Sequence, residues 1–290
     1  MQKNSMYNDY YDEEVLKYLE QSINLLEKIL KSSEFIFQNV SFKDSKDGRK
    51  DIRTSIILSL YREMIERIDG VFILLKNKST LNSFILLRSF FEISIDLEKI
   101  LKDNTEETAI NYTYFKLGDY SIKLEQFWGI NTFDKDNTEK KEKIKKEWED
   151  VKNFSNIYNI PCLEQTHKKN IEKHQKQWWN YNKKEKSVAR ENTDNLLYKK
   201  LCMSVHGQNS LIDNFYVDNI LNLRSLRILD DFGLIIYVIT YKILLINELI
   251  LNQCIKISLE EKKIKIEELH KYFQESEIIL EKTKELNLKF

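Results

Sequence analysis

Turn-forming residues are scarce: the chain has one proline, Pro161, and six glycines in 290 residues. A sheet-rich fold needs many tight turns, so the scarcity excludes most such folds and leaves helices joined by few connections. The predicted class is all-α, a multi-helix up-and-down bundle that carries a charged helical insertion. Alanine is nearly missing as well, at Ala109 and Ala189 alone, whereas Lys, Ile, Leu, Asn and Glu abound. We read this bias as that of an AT-rich genome, in which runs of lysine are weaker signals than elsewhere.

Other absences narrow the function classes. There is no Walker A loop, G-x-G-x-x-G, G-x-S-x-G or H-E-x-x-H, which removes support for nucleotide-loop ATPase, Rossmann, α/β-hydrolase and zincin readings. The three cysteines, Cys162, Cys202 and Cys254, are odd in number and far apart, with no zinc spacing. Together with the polar start MQKNSMYNDYYDEE, which lacks a signal peptide, they predict free thiols in a reducing cytoplasm. Lys plus Arg balances Asp plus Glu at 46 each, so no net field draws the chain to nucleic acid or membrane, and any basic footprint is local. The longest apolar run, Phe232 to Ile246, is interrupted by Lys242 and falls short of the roughly 20 residues of a membrane span, so it predicts a buried helix and no membrane partner.

What is present is helical periodicity. At 290 residues the chain exceeds the ~100–200 of a typical domain, but continuous patterning allows one helical domain with an inserted arm. The core is expected over about 12–128 and 192–286, and the arm over about 133–190. A first amphipathic helix is predicted at about Asp12–Asn39, with Val15, Leu19, Ile23, Leu26 and Leu30 on its stripe. A second follows at about Asp51–Lys76, with Ile57, Tyr61, Met64, Ile68, Phe72 and Leu75 inward. Arg62 with Glu66, and Glu63 with Arg67, form turn-spaced pairs on its polar side.

The segment Leu81–Leu101, LNSFILLRSFFEISIDLEKIL, is the predicted centre. From Phe84 to Leu97 it is apolar on nearly every side, which predicts burial all round. Yet it carries Arg88 and Glu92 one turn apart, where an unpaired buried charge costs on the order of 3–5 kcal/mol. They either neutralise each other or line a polar cavity. Ser79 or Thr80 is the expected cap of this helix, and Asn104 or Thr105 that of the next, at about Thr105–Trp128. On an antiparallel neighbour, Tyr112, Asp119 and Tyr120 would reach the Arg88/Glu92 region.

Beyond the break at Gly129, residues 138–153 read as a charged helix with a thin seam of Ile144, Trp148 and Val151. The segment His167–Arg190 then holds Lys168, Lys169, Lys173, Lys176, Lys183, Lys184, Lys186 and Arg190 against Glu172 and Glu185, with Trp178, Trp179 and Tyr181 interleaved. Cations for phosphates beside aromatics for bases is the composition of a single-strand nucleic-acid surface. The plainer reading is a solvated lysine-rich helix with its tryptophans in the bundle. Next comes NTDNLLYKKLCMSVHG, a helix capped near Asn192 or Thr193 and closed by Gly207. A helical wheel puts Asn195, Lys199, Cys202, Met203 and His206 on one side. A histidine that moves a proton of a ribose hydroxyl beside a cation that holds phosphate suffices for metal-free RNA cleavage. The structural alternative is a histidine that stabilises the helix C-terminus.

RSFFE at Arg88–Glu92, followed about a hundred residues later by YKKLCMSVH at Tyr198–His206, resembles a widespread bacterial helical family of unknown function with an R-S-x-x-E helix and a later Y-x-x-L-S-x-x-x-H helix. The resemblance covers roughly Asp51 to Gly207 and singles out Arg88, Glu92, Tyr198 and His206; Cys202 stands where the family usually has serine. A looser similarity is to HEPN domains, helical bundles common in bacterial toxins and antiphage effectors. Many of those are ribonucleases with an arginine about four to six residues from a histidine; here Lys199 or Lys200 stands at that spacing before His206, keeping the charge but losing the planar bidentate fork.

Two other classes compete with this reading. Glu164-x-x-His167 and Glu267-x-x-His270 repeat the E-x-x-H of di-metal carboxylate bundles, with Glu92 and Glu66 as further ligands. Against that, His167 sits in a polar run, and His167 and His174 are about 10 Å apart along a helix, too far to share a metal directly. The other class is a non-enzymatic interaction or regulatory module, in which helices at about Leu226–Cys254 and Leu259–Leu286 complete the bundle or form a dimer seam. The leading expectation is an RNA-targeting, HEPN-like, metal-independent ribonuclease of defence or toxin type, with no cofactor and with RNA, a second copy or a protein as partner. His206 is its proton-transfer residue, Lys199 or Lys200 holds phosphate, and Arg88, Glu92 and Tyr198 shape the pocket.

Overall fold

The structure, a computed structural model, describes residues 13–40, 52–113, 116, 149, 153, 216–217, 220–221 and 231–287. Six helices run through the described residues: α1 (Glu13–Asn39), α2 (Ile52–Lys76), α3 (Thr80–Asp103), α4 (residues 106–113), α5 (Phe232–Gln253) and α6 (Leu259–Asn287). The class is all-α. Tyr216–Val217 pairs antiparallel with Ile220–Leu221, a two-residue ladder too short to make a sheet layer.

The chain divides into two compact units. The first comprises Met1–Asp44, Ile57–Lys102 and Thr193–Phe290, and in it α1, most of α2, α3, α5 and α6 pack as a bundle. Cross-helix contacts give their directions. Arg67 meets Ser89 and Gly70 meets Leu86, so α2 and α3 run antiparallel across the tight turn at Asn77–Ser79. Gly233 meets Thr283 while Glu248 meets His270, so α5 and α6 are antiparallel too. The same holds for α1 and α6, where Lys28 pairs with Glu275 and Lys265 lies over the Phe35 ring.

α1 buries Leu19, Ser22, Leu25, Leu26, Ile29, Ser32, Ser33 and Ile36. The expected stripe through Val15, Ile23 and Leu30 is thus displaced, and those three are only half-buried. Three small serines share the inner face, and a pattern read from apolar residues alone passes over them. α2 follows its predicted stripe at Ile57, Tyr61, Met64, Ile68 and Leu75, whereas Phe72 stays half-buried under the Lys76 ammonium, 4.4 Å from its centroid.

α3 corrects the expectation of burial all round. Phe84, Leu87, Phe90, Phe91, Leu97, Ile100 and Leu101 are buried, but Ile85 is 48 % exposed, and Arg88, Ser89, Glu92 and Ile95 continue a partly open stripe at helical spacing. Arg88 and Glu92 occupy this open side, where water lowers their desolvation cost, whereas Asp96 and Lys99 of the same helix are buried.

α5 is the most apolar element. It starts at Phe232, six residues later than expected, where Asp231 takes a left-handed φ of 58° and its carbonyl accepts from Leu234 and Ile235. It continues past Ile246 to Gln253, so the run does not stop short of a span: at 22 residues, with mean hydropathy 2.0 over its best window, it is long and apolar enough to cross a membrane by length and composition alone. In the structure 67 % of that window is buried inside the protein. α6 begins with a reciprocal capping box: the Glu261 N–H donates to Ser258 Oγ at 3.2 Å, and the Ser258 N–H donates to Glu261 Oε2 at 3.2 Å.

The second unit comprises Ser45–Ile56 and Asp103–Asn192. In it Thr105 Oγ1 accepts from the Thr108 N–H at 3.3 Å, the expected cap of α4. Ala109, Tyr112 and Thr113 are buried, and Lys116 lies 5.5 Å from the centroid of Tyr112. Asp119 and Tyr120 lie outside the described residues.

Candidate functional site

The RSFFE motif divides its residues between two environments. Phe90 and Phe91 point into the core, at 0 % and 2 % exposure, as one helical turn requires of adjacent apolar positions. The three polar residues stay on the partly open side. Arg88 Nε donates to Glu92 Oε1 at 3.2 Å, an i,i+4 ion pair with side chains 21 % and 41 % exposed. The turn-spaced pair expected from the sequence is thus formed. Ser89 reaches the neighbouring helix instead: its Oγ accepts from Arg67 Nε at 3.1 Å, and another nitrogen of the same guanidinium pairs with Glu63 at 3.2 Å. The α2/α3 edge therefore carries two short arrays, Glu63–Arg67–Ser89 and Arg88–Glu92. Chemically this is a pair of cations, each oriented by a carboxylate one turn away, on a side of the bundle that an anion can approach.

Behind Phe91 lies a charge that periodicity assigned no role. Lys242 of α5 is 5 % exposed, its ammonium 4.9 Å from the Phe91 centroid and 3.7 Å from Glu98, which also pairs with Lys102 at 2.5 Å. The face of Phe91 favours the cation and Glu98 neutralises it. The signal was visible, since Lys242 is the lone charge in an apolar run, but its partner lies far away in the chain.

Farther into the bundle Tyr61, 1 % exposed, donates to Asn247 Oδ1 at 2.6 Å and lies 3.4 Å from the Ser33 carbonyl. Burial pushes the Tyr61 hydroxyl well above the ordinary tyrosine range, against the opposing effect of these two contacts. Near the surface of α6, Glu268 accepts from Lys265 and Tyr272. Burial raises its carboxyl, but the two hydrogen bonds and the lysine charges outweigh that and hold it below the usual carboxylate value.

The members of the di-metal alternative that are described do not converge. Glu66 pairs with Arg62 at 3.1 Å, Glu92 with Arg88, and His270 Nε2 lies 2.9 Å from Glu248 with its side chain 54 % exposed. Among the described residues no three of His, Cys, Asp and Glu stand close enough to hold a metal ion. Glu164 and His167 lie outside the described residues, as do Tyr198, Lys199, Lys200, Cys202 and His206. So does the basic aromatic segment with Lys168, Lys169, Lys173, Lys176, Trp178, Trp179, Lys183, Lys184 and Arg190.

No curated protein and no solved structure matches the chain. A family profile described as "Family of unknown function (DUF5677)" matches residues 54–220, more than half of the 290, and the chain belongs to that family.

Proposed function

We propose that this protein is an RNA-targeting effector of the toxin or defence type, acting in the reducing cytoplasm by metal-independent cleavage. The observation that carries the reading is the adjacency in sequence of a basic, tryptophan-bearing segment, Lys168–Arg190, to the Tyr198–His206 motif. Both fall inside the family-matched stretch, as do Arg88 and Glu92. In this reading His206 takes a proton from a ribose hydroxyl and Lys199 or Lys200 holds the phosphate. Tyr198, Arg88 and Glu92 border the substrate. Lys168, Lys169, Lys173, Lys176, Lys183, Lys184 and Arg190 neutralise phosphates while Trp178 and Trp179 stack on bases.

The test is induced expression of wild type, His206→Ala and Lys199→Ala in growing cells, with total RNA run on a gel. Growth arrest with RNA fragmentation in the wild type, lost in both variants, is the expected result. Intact RNA throughout, or folded variants that keep the full effect, overturns it.

A second reading, a non-enzymatic interaction module that self-associates, draws on two observations. Arg88 and Glu92 satisfy each other, as a structural pair does, and α6 leaves Leu259, Ile264 and Ile278 exposed. Light scattering on the purified full chain separates the two: a stable dimer that leaves RNA intact favours this module.

A further inference from the structure

A buried hydroxyl in a helix interior has a ready acceptor in a carbonyl of the preceding turn. In the bundle Ser22, Ser83, Ser94, Thr240, Ser276 and Thr283 take that acceptor, at 2.6–3.0 Å. Ser33, 0 % exposed on α1, does not, and its Oγ has no partner within the protein. On α5, Asn247 is likewise 0 % exposed; its Oδ1 is taken by Tyr61, but Nδ2, with two hydrogens to donate, has no protein partner. The Tyr61 hydroxyl joins the two places, 2.6 Å from Asn247 Oδ1 and 3.4 Å from the Ser33 carbonyl. The two residues that the Tyr61 hydroxyl approaches thus each carry a buried polar atom with no protein partner. Protein interiors meet such groups with bound water that makes about three hydrogen bonds.

We propose that the junction of α1, α2 and α5 holds a buried water-binding site. Asn247 Nδ2 donates to the water, Ser33 Oγ exchanges a hydrogen bond with it, and Tyr61 walls the site from the third helix. A neutral, small ligand with both donor and acceptor capacity fits: Asn247 supplies donors, and a serine hydroxyl supplies either. The bound water ties α1 to α5, both outside the family-matched stretch, beside Tyr61 of α2, which lies inside it.

The test uses the full chain. A crystal structure at a resolution that shows ordered water, paired with water-to-amide cross-peaks in NMR spectra of selectively Asn-labelled protein, reads the site directly. The expected result is a water peak within hydrogen-bond distance of the Asn247 nitrogen, with exchange cross-peaks to its side-chain amide. Both vanish in Ser33→Ala/Asn247→Leu, which removes both polar partners together. If that double variant fails to fold, Ser33→Ala trims only the hydroxyl, and loss or displacement of the water is expected there. A dry wild-type junction, with the amide in either orientation, overturns the proposal, as does a water that Ser33→Ala leaves in place.

Discussion

Tyr61 on α2 and Asn247 on α5 share a 2.6 Å hydrogen bond at almost complete burial, a polar contact between residues 186 positions apart in the chain. Tyr61→Phe removes the donor and leaves Asn247 Oδ1 without its phenol, a loss of about 1–3 kcal/mol. Urea denaturation of the two proteins at neutral pH measures it.

The same residue predicts an alkaline limb. Burial raises the Tyr61 hydroxyl above its ordinary value of 10.0 in the folded chain, so the neutral form is the one that folding favours. Its contribution is complete below pH 10 and declines above it, because the unfolded chain ionises first. Thermal melts from pH 8 to 11 should fall steeply for wild type and less steeply for Tyr61→Phe.

Gly233 opens α5 where that helix touches the end of α6. A Cβ built there meets Thr283 Oγ1 at 2.1 Å and the Leu280 Cα at 3.2 Å, and the backbone atom has little room to yield. Gly233→Ala should destabilise by about 1–3 kcal/mol through overpacking. Adding Thr283→Ala, which removes the nearest atom, should recover part of the loss in the same denaturation assay.

Lys242 tests how a buried cation is tolerated. Lys242→Ala removes its charge and its stem, leaving a cavity beside Phe91, and should cost about 2–4 kcal/mol. Lys242→Met keeps the volume, while Glu98 keeps Lys102, so its cost should be below about 1.5 kcal/mol. Equal losses in the two variants would show that the charge, not the packing, dominates.

Arg88 and Glu92 separate stability from function. As a partly exposed i,i+4 pair their coupling should be about 0.3–0.5 kcal/mol in a double-mutant cycle. Under the RNA-targeting proposal, Arg88→Ala and Glu92→Gln nevertheless reduce growth arrest several-fold in folded protein. Full toxicity in both would leave the pair a structural one.

Legibility followed range along the chain. The stripe of α2 and the extents of α1, α3 and α6 were readable to within a residue or two, because the 3.6-residue repeat is local. The inner face of α1 was not: Ser22, Ser32 and Ser33 are small enough to pack against neighbours, and periodicity in apolar residues passes over them. In the candidate site, the Arg88–Glu92 pair followed from its spacing, whereas the Arg67–Ser89 link needed α2 and α3 placed side by side.

By itself the sequence determined the all-helical class, the extents of α1, α2, α3 and α6 and which residues bear charge, since these depend on backbone sterics and on contacts one turn apart. Only the tertiary structure decided which side of α3 stays open, that Lys242 meets Phe91 and Glu98, and that Tyr61 meets Asn247. Those outcomes depend on which helices share the core. The burial of polar groups is settled by partners brought together across long stretches of chain, and no local repeat encodes that pairing.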